Sequence, residues 1–219
     1  MKKRDWKCFL IAACFLAGFG LWTALVRFVD VRQIGPENSC VGLSQINGFV
    51  HNGIGIHMVW YTITDFLEWI PFGVIVFFGL AGLAQWIKRK HIMRVDGNIL
   101  LLGAFYVVVL TFFLLFEVCV VNYRPVLIDG VLEASYPSST TLITLCVMPT
   151  AWLQVQKRIK NRMLNRICFT SISFFTAFMV MGRLISGVHW FSDIVGSCLL
   201  SVGLVTLYYT LMKIIVEKQ

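Results

Sequence analysis

Long apolar runs, separated by short polar segments, make up most of the chain. Six of them are long enough, or nearly long enough, to cross a bilayer as helices, and they cover residues 8–29, 66–87, 98–120, 141–156, 167–187 and 191–215. The runs are continuous and do not alternate with polar residues as membrane strands do. Because lipid offers no partners for free backbone groups, helices are expected. The pattern predicts an all-α polytopic membrane helix bundle with about six transmembrane helices.

Composition and charge agree with a membrane protein. Hydrophobic residues make up 58% of the 219 positions and charged residues 14%, whereas a soluble domain is nearer half apolar and a quarter charged. With six spans both termini lie on one side, and this side holds all but four of the 19 Lys and Arg residues. The positive-inside rule then predicts an integral plasma membrane protein with cytoplasmic termini. The net charge of +8 is explained by topology and by attraction to membrane lipids, so no nucleic-acid partner is expected.

The amino terminus, MKKRDWKCFLIAAC, has some features of a signal peptide. Its apolar run continues well beyond Cys14, which favours an uncleaved first helix. The seven cysteines show neither paired spacing nor a zinc pattern, so no metal and no cofactor is expected. Because the sequence shows no internal repeat, low-complexity tract or linker, residues 1–219 are predicted to form a single membrane-embedded domain.

Polar residues capable of chemistry lie on the predicted outer face, in loops at about 30–65, 121–140 and 184–190. Arg124, in NYRPVL, and Arg183, in GRLISGVHWFSDIVG, are not explained by the positive-inside rule and need a partner. His189 and Asp193 are four residues apart, so on a helix they share a face. The carboxylate can then hold the imidazole in one tautomer and leave its other nitrogen free as a nucleophile or base. Each feature alone also has a structural interpretation, as a snorkelling arginine or a structural His–Asp hydrogen bond.

The segment SYPSSTTLITL, residues 135–145, begins a predicted helix with several hydroxyl residues. A helix N-terminus offers free N–H groups and the positive end of the helix dipole to an anion. Arginines hold phosphate oxygens in pairs. Ser138, Ser139 and Thr140 are therefore expected to bind phosphate together with the two outer arginines, where His189 could attack it in line.

Other polar residues near this face are interpreted as structural. His51 and His57 lie in the first outer loop and are expected at the surface, although either could approach the site. Asp65 and Glu68 are expected to form an interfacial turn before the second span.

These features resemble the type 2 phosphatidic acid phosphatase superfamily, which also includes the vanadium haloperoxidases. The third motif of that family is Ser-Arg, five residues, His, three residues and Asp. Arg183, His189 and Asp193 match it in spacing, with Gly182 in place of Ser. The other two motifs match in part, because Arg124-Pro125 ends the first and Pro137-Ser138-Ser139 begins the second. The resemblance covers a catalytic-like core of about residues 55–215.

The resemblance implies a phosphoric-ester hydrolase, namely a membrane lipid phosphatase with its active site facing outward. Its substrate would be a phosphate monoester or diphosphate of a lipid, either phosphatidic acid-like or polyprenyl. The resemblance also implies that His189 attacks phosphorus to form a phosphohistidine and that Asp193 orients His189. The implied phosphate-binding groups are Arg124, Arg183, Thr140 and the amides around Ser138 and Ser139.

Two residues depart from the family pattern. Glu117 stands where the family has the Lys of its first motif, and Thr140 replaces the His that assists departure of the alcohol group. Threonine cannot act as an acid near neutral pH, whereas positioned acid–base help is typically worth about a hundred- to ten-thousand-fold in rate. Three interpretations of Glu117 remain open: it pairs with Arg124 or Arg183, it is protonated by burial and supplies the acid, or it marks a protein that binds phosphorylated lipid without turnover. A lipid phosphotransferase, which passes the group to an acceptor alcohol instead of water, is a further alternative.

Overall fold

The computed structural model describes residues 3–156 and 159–216 and is almost entirely helical in this part of the chain. Its helices are α1 (Lys3–Phe28), α2 (Ser44–Ile54), α3 (Met58–Leu67), α4 (Trp69–Arg89), α5 (Gly97–Val118), α6 (Ser139–Val155), α7 (Arg162–Ser186) and α8 (Phe191–Val216). Two short antiparallel strands, β1 (Arg32–Gln33) and β2 (Cys40–Val41), pair in the loop after α1. The predicted all-α bundle is confirmed.

Within the described residues, five helical stretches are long and apolar enough to cross a membrane, namely Asp5–Phe28, Met58–Arg89, Gly97–Val118, Arg162–Ser186 and Phe191–Ile214. The remaining predicted span, residues 141–156, corresponds to α6, which has 17 residues and is shorter than these five. The second stretch begins at Met58, well before the predicted residue 66, because α3 and α4 follow each other almost without interruption. The interfacial turn expected at Asp65 and Glu68 is not found, because both residues lie within this stretch. Both carboxylates contact Arg183.

Helix α6 forms the centre of the bundle. Leu142, Ile143, Cys146 and Val147 on α6 are fully buried, and the helix packs against α4, α5, α7 and α8. A helix enclosed by other helices needs no lipid-facing surface, which accounts for a short apolar segment with no polar face. The N-terminus of α6 is therefore held in the interior of the bundle, next to the first turn of α8.

Helices α3 and α7 approach each other closely at Gly182. A Cβ atom at this position would lie 2.6 Å from Thr64 Cγ2 and 3.5 Å from the Trp60 ring. A serine at this position would require the Thr64 side chain or α3 to move. The close approach brings Asp65 and Glu68, on the same stretch of helix as Thr64, next to Arg183.

The loop between α5 and α6 forms an irregular hairpin. The N–H of Ser135 donates to Asn122 O at 2.9 Å, and the N–H of Arg124 donates to Glu133 O at 3.0 Å. The turn at the tip contains Asp129 and Gly130 with φ of 50° and 79°, the left-handed conformations that a two-residue hairpin loop requires. The hairpin places Arg124, Glu133 and Ser135 beside the first turns of α6 and α8.

Candidate active site

His189 lies in the connection between α7 and α8 and is 3% exposed. Its Nδ1 atom lies 3.1 Å from the carbonyl oxygen of Ser135 and 3.1 Å from the hydroxyl oxygen of the same residue. Because a carbonyl oxygen only accepts, Nδ1 carries the hydrogen in the neutral ring. The lone pair is therefore on Nε2, which is buried and has no hydrogen-bond partner among the described residues.

Asp193 holds His189 through Ser135. The hydroxyl of Ser135 donates to Asp193 Oδ2 at 2.5 Å, so it is left to accept from His189 Nδ1. The N–H of Trp190 also donates to Oδ2, at 2.9 Å, and the hydroxyl of Ser192 donates to Oδ1 at 3.2 Å. The distance from His189 Nδ1 to Asp193 Oδ2 is 3.9 Å, which is too long for a hydrogen bond.

The direct His–Asp hydrogen bond expected from helical spacing is therefore not formed. Helix α8 begins at Phe191, so His189 lies outside it and the geometry of residues four apart on a helix does not apply. Ser135 stands between the two side chains and serves as the contact that links them.

The imidazole of His189 is kept neutral. Burial disfavours its charged form, and the positive charges of Arg124 and Arg183 act in the same direction, so together they hold the pKa of His189 well below its usual value of 6.5. A neutral imidazole with its hydrogen on Nδ1 presents the Nε2 lone pair as a nucleophile near neutral pH.

Arg183, at the end of α7, is 2% exposed. One of its terminal nitrogens, Nη2, lies 3.2 Å from Asp65 Oδ1 and 3.1 Å from Glu68 Oε2, and it also donates to the hydroxyl of Thr140. The guanidinium stands 5.0 Å from the ring centroid of Tyr61. Its Nε and Nη1 atoms are buried and have no hydrogen-bond partner in the described part of the chain.

Arg124, on the hairpin, is 9% exposed. Its Nε lies 3.1 Å from Glu133 Oε2, close enough for an ion pair, but the N–H is not aligned for a hydrogen bond. Its Nη1 is also buried without a hydrogen-bond partner among the described residues. Both arginines therefore keep buried donors that no acceptor of the described chain satisfies.

The hydroxyl residues at the start of α6 are largely engaged within the protein. The N–H of Ser138 donates to Asp193 O at 3.3 Å, and its hydroxyl donates to Thr141 Oγ1 at 3.0 Å. The hydroxyl of Thr140 accepts from Arg183 and donates to Glu68. The N–H groups of Ser139 and Thr140 lie in the first turn of α6, where a helix supplies no backbone acceptor.

These side chains line one cleft of about 610 Å³, whose polar lining residues are Tyr61, Asp65, Glu68, Glu117, Tyr123, Arg124, Glu133, Ser139, Thr140 and Arg183. His189 lines a smaller adjoining cavity that shares Glu117 and Ser139 with the cleft. The structure therefore brings the predicted phosphate-binding arginines, the start of α6 and the histidine together at one end of the bundle.

A comparison with protein families adds to this geometry. The sequence profile of the PAP2 superfamily matches residues 72–216. The chain belongs to this superfamily. The fold is similar to the crystal structure of a transmembrane PAP2-type phosphatidylglycerolphosphate phosphatase from Bacillus subtilis, with a TM-score of 0.64 and 12% sequence identity over 92% of this chain and 96% of that chain. A comparison with the sequences of curated proteins finds no match.

Glu117, in the position of the PAP2 lysine, lies near the end of α5, is exposed and lines both cavities. It forms no ion pair within residues 3–156 and 159–216, whereas Arg183 pairs with Asp65 and Glu68, and Arg124 pairs with Glu133. The pairing of Glu117 with an arginine, one of the sequence-based interpretations, is therefore absent from the structure. The arginines have other carboxylate partners.

The two loop histidines do not line the cleft or the adjoining cavity. The ring of His51 packs against the ring of Trp190, with 5.2 Å between centroids. His57 Nε2 lies 2.9 Å from the carbonyl oxygen of Ile54. His57 is exposed, as expected, whereas His51 is half-buried against Trp190.

Four residues of this candidate site were not identified from sequence, namely Ser135, Asp65, Glu68 and Glu133. The Asp-Gly pair at 129–130, between apolar residues, is a hairpin signal that would have placed Arg124 opposite residues near Glu133. Asp65 and Glu68 are three residues apart on one helix face. An arginine in an apolar helix needs carboxylate partners at the same depth, and these two were candidates beside Glu117.

Proposed function

We propose that the protein is a membrane lipid phosphatase that hydrolyses a phosphate monoester or diphosphate of a lipid through a phosphohistidine on His189. One observation carries the proposal. Arg124 and Arg183 keep buried N–H groups without acceptors, beside a histidine whose Nε2 lone pair is also without a partner. Buried donors are normally paired, so this arrangement calls for an anion that also carries an electrophilic atom. A phosphoryl group meets both requirements.

The reaction proceeds in two steps. The Nε2 lone pair of His189 attacks phosphorus opposite the leaving oxygen, the P–N bond forms, and the electron pair of the breaking P–O bond stays with that oxygen. Water then attacks the phosphohistidine, the P–N bond breaks, and inorganic phosphate leaves. Arg124 and Arg183 bind the phosphoryl oxygens in both steps. Ser135 and Asp193 hold the ring and stabilise the positive charge that develops on it.

The leaving oxygen receives little help from the residue in the family's histidine position. Thr140 is not an acid at neutral pH, and its hydrogen is already donated to Glu68. An alkoxide is a poor leaving group without a proton donor, whereas a phosphate group leaves without one. The geometry therefore favours lipid diphosphates over monoesters as substrates.

The side of the membrane is also part of the proposal. Trp22 and Thr23, near the end of α1, contact Ser192 and Tyr136 at the site end of the bundle, so α1 runs toward the site and α8 runs away from it. The described start of α1 and the described end of α8 then lie opposite the site. With the basic residues on the side of the termini, the positive-inside rule supports a site on the outer face.

The test uses purified full-length protein in detergent with phosphatidic acid, phosphatidylglycerolphosphate, polyprenyl phosphate and polyprenyl diphosphate. Phosphate release is measured for the wild type, for His189→Ala and for His51→Ala as a control histidine outside the cleft. We expect release by the wild type and His51→Ala and none above background by His189→Ala. Equal release by wild type and His189→Ala would contradict the proposal.

A second candidate is a protein that binds phosphorylated lipid without turnover. The contacts of Thr140 with Glu68 and Arg183 favour it, because they occupy the position from which the family's histidine acts. In this case Glu117→Lys combined with Thr140→His should create phosphatase activity from a silent background. High activity of the unmodified protein would exclude this candidate.

A further inference from the structure

The charge of the cleft is unusual for a site that binds phosphate alone. Four carboxylates line it, namely Asp65, Glu68, Glu117 and Glu133, against two arginines, Arg124 and Arg183. A phosphate dianion would add two negative charges to an already acidic lining. The excess of carboxylates therefore needs a positive partner when phosphate is bound.

The same cleft nevertheless contains donors that require an anion. Arg183 is only 2% exposed, and its Nε and Nη1 atoms have no hydrogen-bond partner among the described residues. Nη1 of the buried Arg124 also has no hydrogen-bond partner among the described residues. These nitrogen atoms form no hydrogen bond with the carboxylates of the cleft. Buried donors are normally paired, so they indicate that a negatively charged group binds beside them.

The carboxylates do not block these donors. Asp65 and Glu68 both contact Nη2 of Arg183 and leave its Nε and Nη1 open. Glu133 contacts Arg124 at Nε and leaves Nη1 open. The arginines can therefore bind an anion while their carboxylate partners stay in place.

Glu117 is the carboxylate without an arginine partner. In the described part of the chain it forms no ion pair, and it is exposed where the cleft meets the cavity beside His189. The side chains of Asp65 and Glu133 are also accessible, with exposures of 53% and 40%. The cleft thus contains accessible acceptors next to unsatisfied donors.

We propose that the cleft recognises a lipid head group that carries both a phosphate and a primary ammonium group. The phosphate is bound by Arg124 and Arg183, and the ammonium donates to Glu117 together with the accessible carboxylates of Asp65 and Glu133. A primary ammonium has three N–H donors, so it can contact more than one carboxylate, which a quaternary ammonium cannot do through hydrogen bonds. The phosphate half of this proposal rests on the proposed function, whereas the carboxylates that would bind the ammonium line the cleft whether or not the protein is a phosphatase.

The test measures binding, because turnover would consume the ligand. Full-length His189→Ala protein in detergent is titrated with two matched pairs of single-chain lipids. Sphingosine 1-phosphate and lysophosphatidic acid are monoesters with and without an ammonium. Lysophosphatidylethanolamine and lysophosphatidylglycerol are diesters with and without one. The pair whose two members differ more in affinity shows whether the preferred head group is a monoester or a diester.

We expect the ammonium-bearing member of at least one pair to bind about tenfold more tightly or better, since a hydrogen bond between charged groups is worth about one to two orders of magnitude in affinity. Adding Glu117→Gln should remove most of this preference. Asp129→Asn, at the hairpin tip outside the cleft, is the matched control and should keep it.

Three results would overturn the inference. Equal binding within both pairs would refute ammonium recognition while leaving phosphate binding intact. A preference that survives Glu117→Gln would refute the assignment to Glu117. Binding of none of the four lipids would refute both this inference and the proposed function.

Discussion

The hydroxyl of Ser135 offers a sharp test of how His189 is held. Ser135→Ala removes the 2.5 Å hydrogen bond to Asp193 and the 3.1 Å contact with His189 Nδ1. It leaves the Ser135 carbonyl 3.1 Å from Nδ1, so the tautomer is retained. The link from the carboxylate to the ring is lost, and with it part of the stabilisation of the positive charge that forms when the ring attacks phosphorus.

The size of the effect follows from this single contact. A hydrogen bond to a charged group is worth about 1.5–3 kcal/mol, and about 1.4 kcal/mol corresponds to a factor of ten in rate. Ser135→Ala should therefore lower kcat about 10- to 100-fold. Because Ser135 binds His189 and Asp193 and does not line the larger cleft, KM should change little.

The assay is phosphate release from a lipid diphosphate in detergent, with kcat and KM determined separately and Tm measured for each variant. Ser192→Ala is the matched control, because it removes another buried hydroxyl that donates to Asp193 without contacting His189. We expect Ser192→Ala to lower Tm but to keep kcat within about threefold, since it leaves the link to the ring intact. A well-folded Ser135→Ala protein with wild-type kcat would refute the linking role of Ser135.

Three further predictions concern other parts of the site. The neutral form of His189 is the nucleophile, so activity is lost as pH falls through the pKa of His189. Because burial and the two arginines hold this pKa well below 6.5, kcat/KM should show no acidic decline between about pH 8 and pH 6.5. A decline in kcat/KM centred at pH 6.5 or above would contradict this. Gly182→Ser, which restores the family residue, should lower Tm and raise KM. The Cβ of the serine would lie 2.6 Å from Thr64 Cγ2 and push α3 away from Arg183. Unchanged Tm and KM would contradict this prediction and show that Thr64 and α3 adapt to the serine. Thr140→His should raise the rate of monoester hydrolysis relative to that of diphosphate hydrolysis by up to about a hundredfold, as measured by phosphate release from both substrates. An unchanged ratio of the two rates would show that protonation of the leaving group does not limit the rate.

The fold was predictable because lipid restricts the options. An apolar run in a bilayer must satisfy its backbone internally, so long apolar runs indicate helices without further information. The second helical stretch begins earlier than expected, because Asp65 and Glu68 lie within it and do not form an interfacial turn before it. Their partner, Arg183, is 118 and 115 residues away in sequence, and a pairing over that distance depends on the packing of α3 on α7.

The candidate site was predictable where short spacing carries the information. Arg183, His189 and Asp193 lie within eleven positions of one another. The structure brings Arg183 and His189 close to Arg124. Ser135 could not be found this way, because its contact with His189 spans 54 residues and depends on the register of the hairpin. The direct hydrogen bond expected between His189 and Asp193 from helical spacing was wrong, because α8 begins only after His189.

The central claim is that Nε2 of His189 takes the phosphoryl group from the lipid. The most direct measurement mixes the full-length protein with a lipid phosphate labelled with ³²P in the transferred group, quenches within one turnover, and locates the label by peptide mapping under alkaline conditions that preserve phosphohistidine. The account predicts label on His189 in the wild type and none in His189→Ala. Release of phosphate by the wild type with no label on His189, or label on another residue, would contradict it.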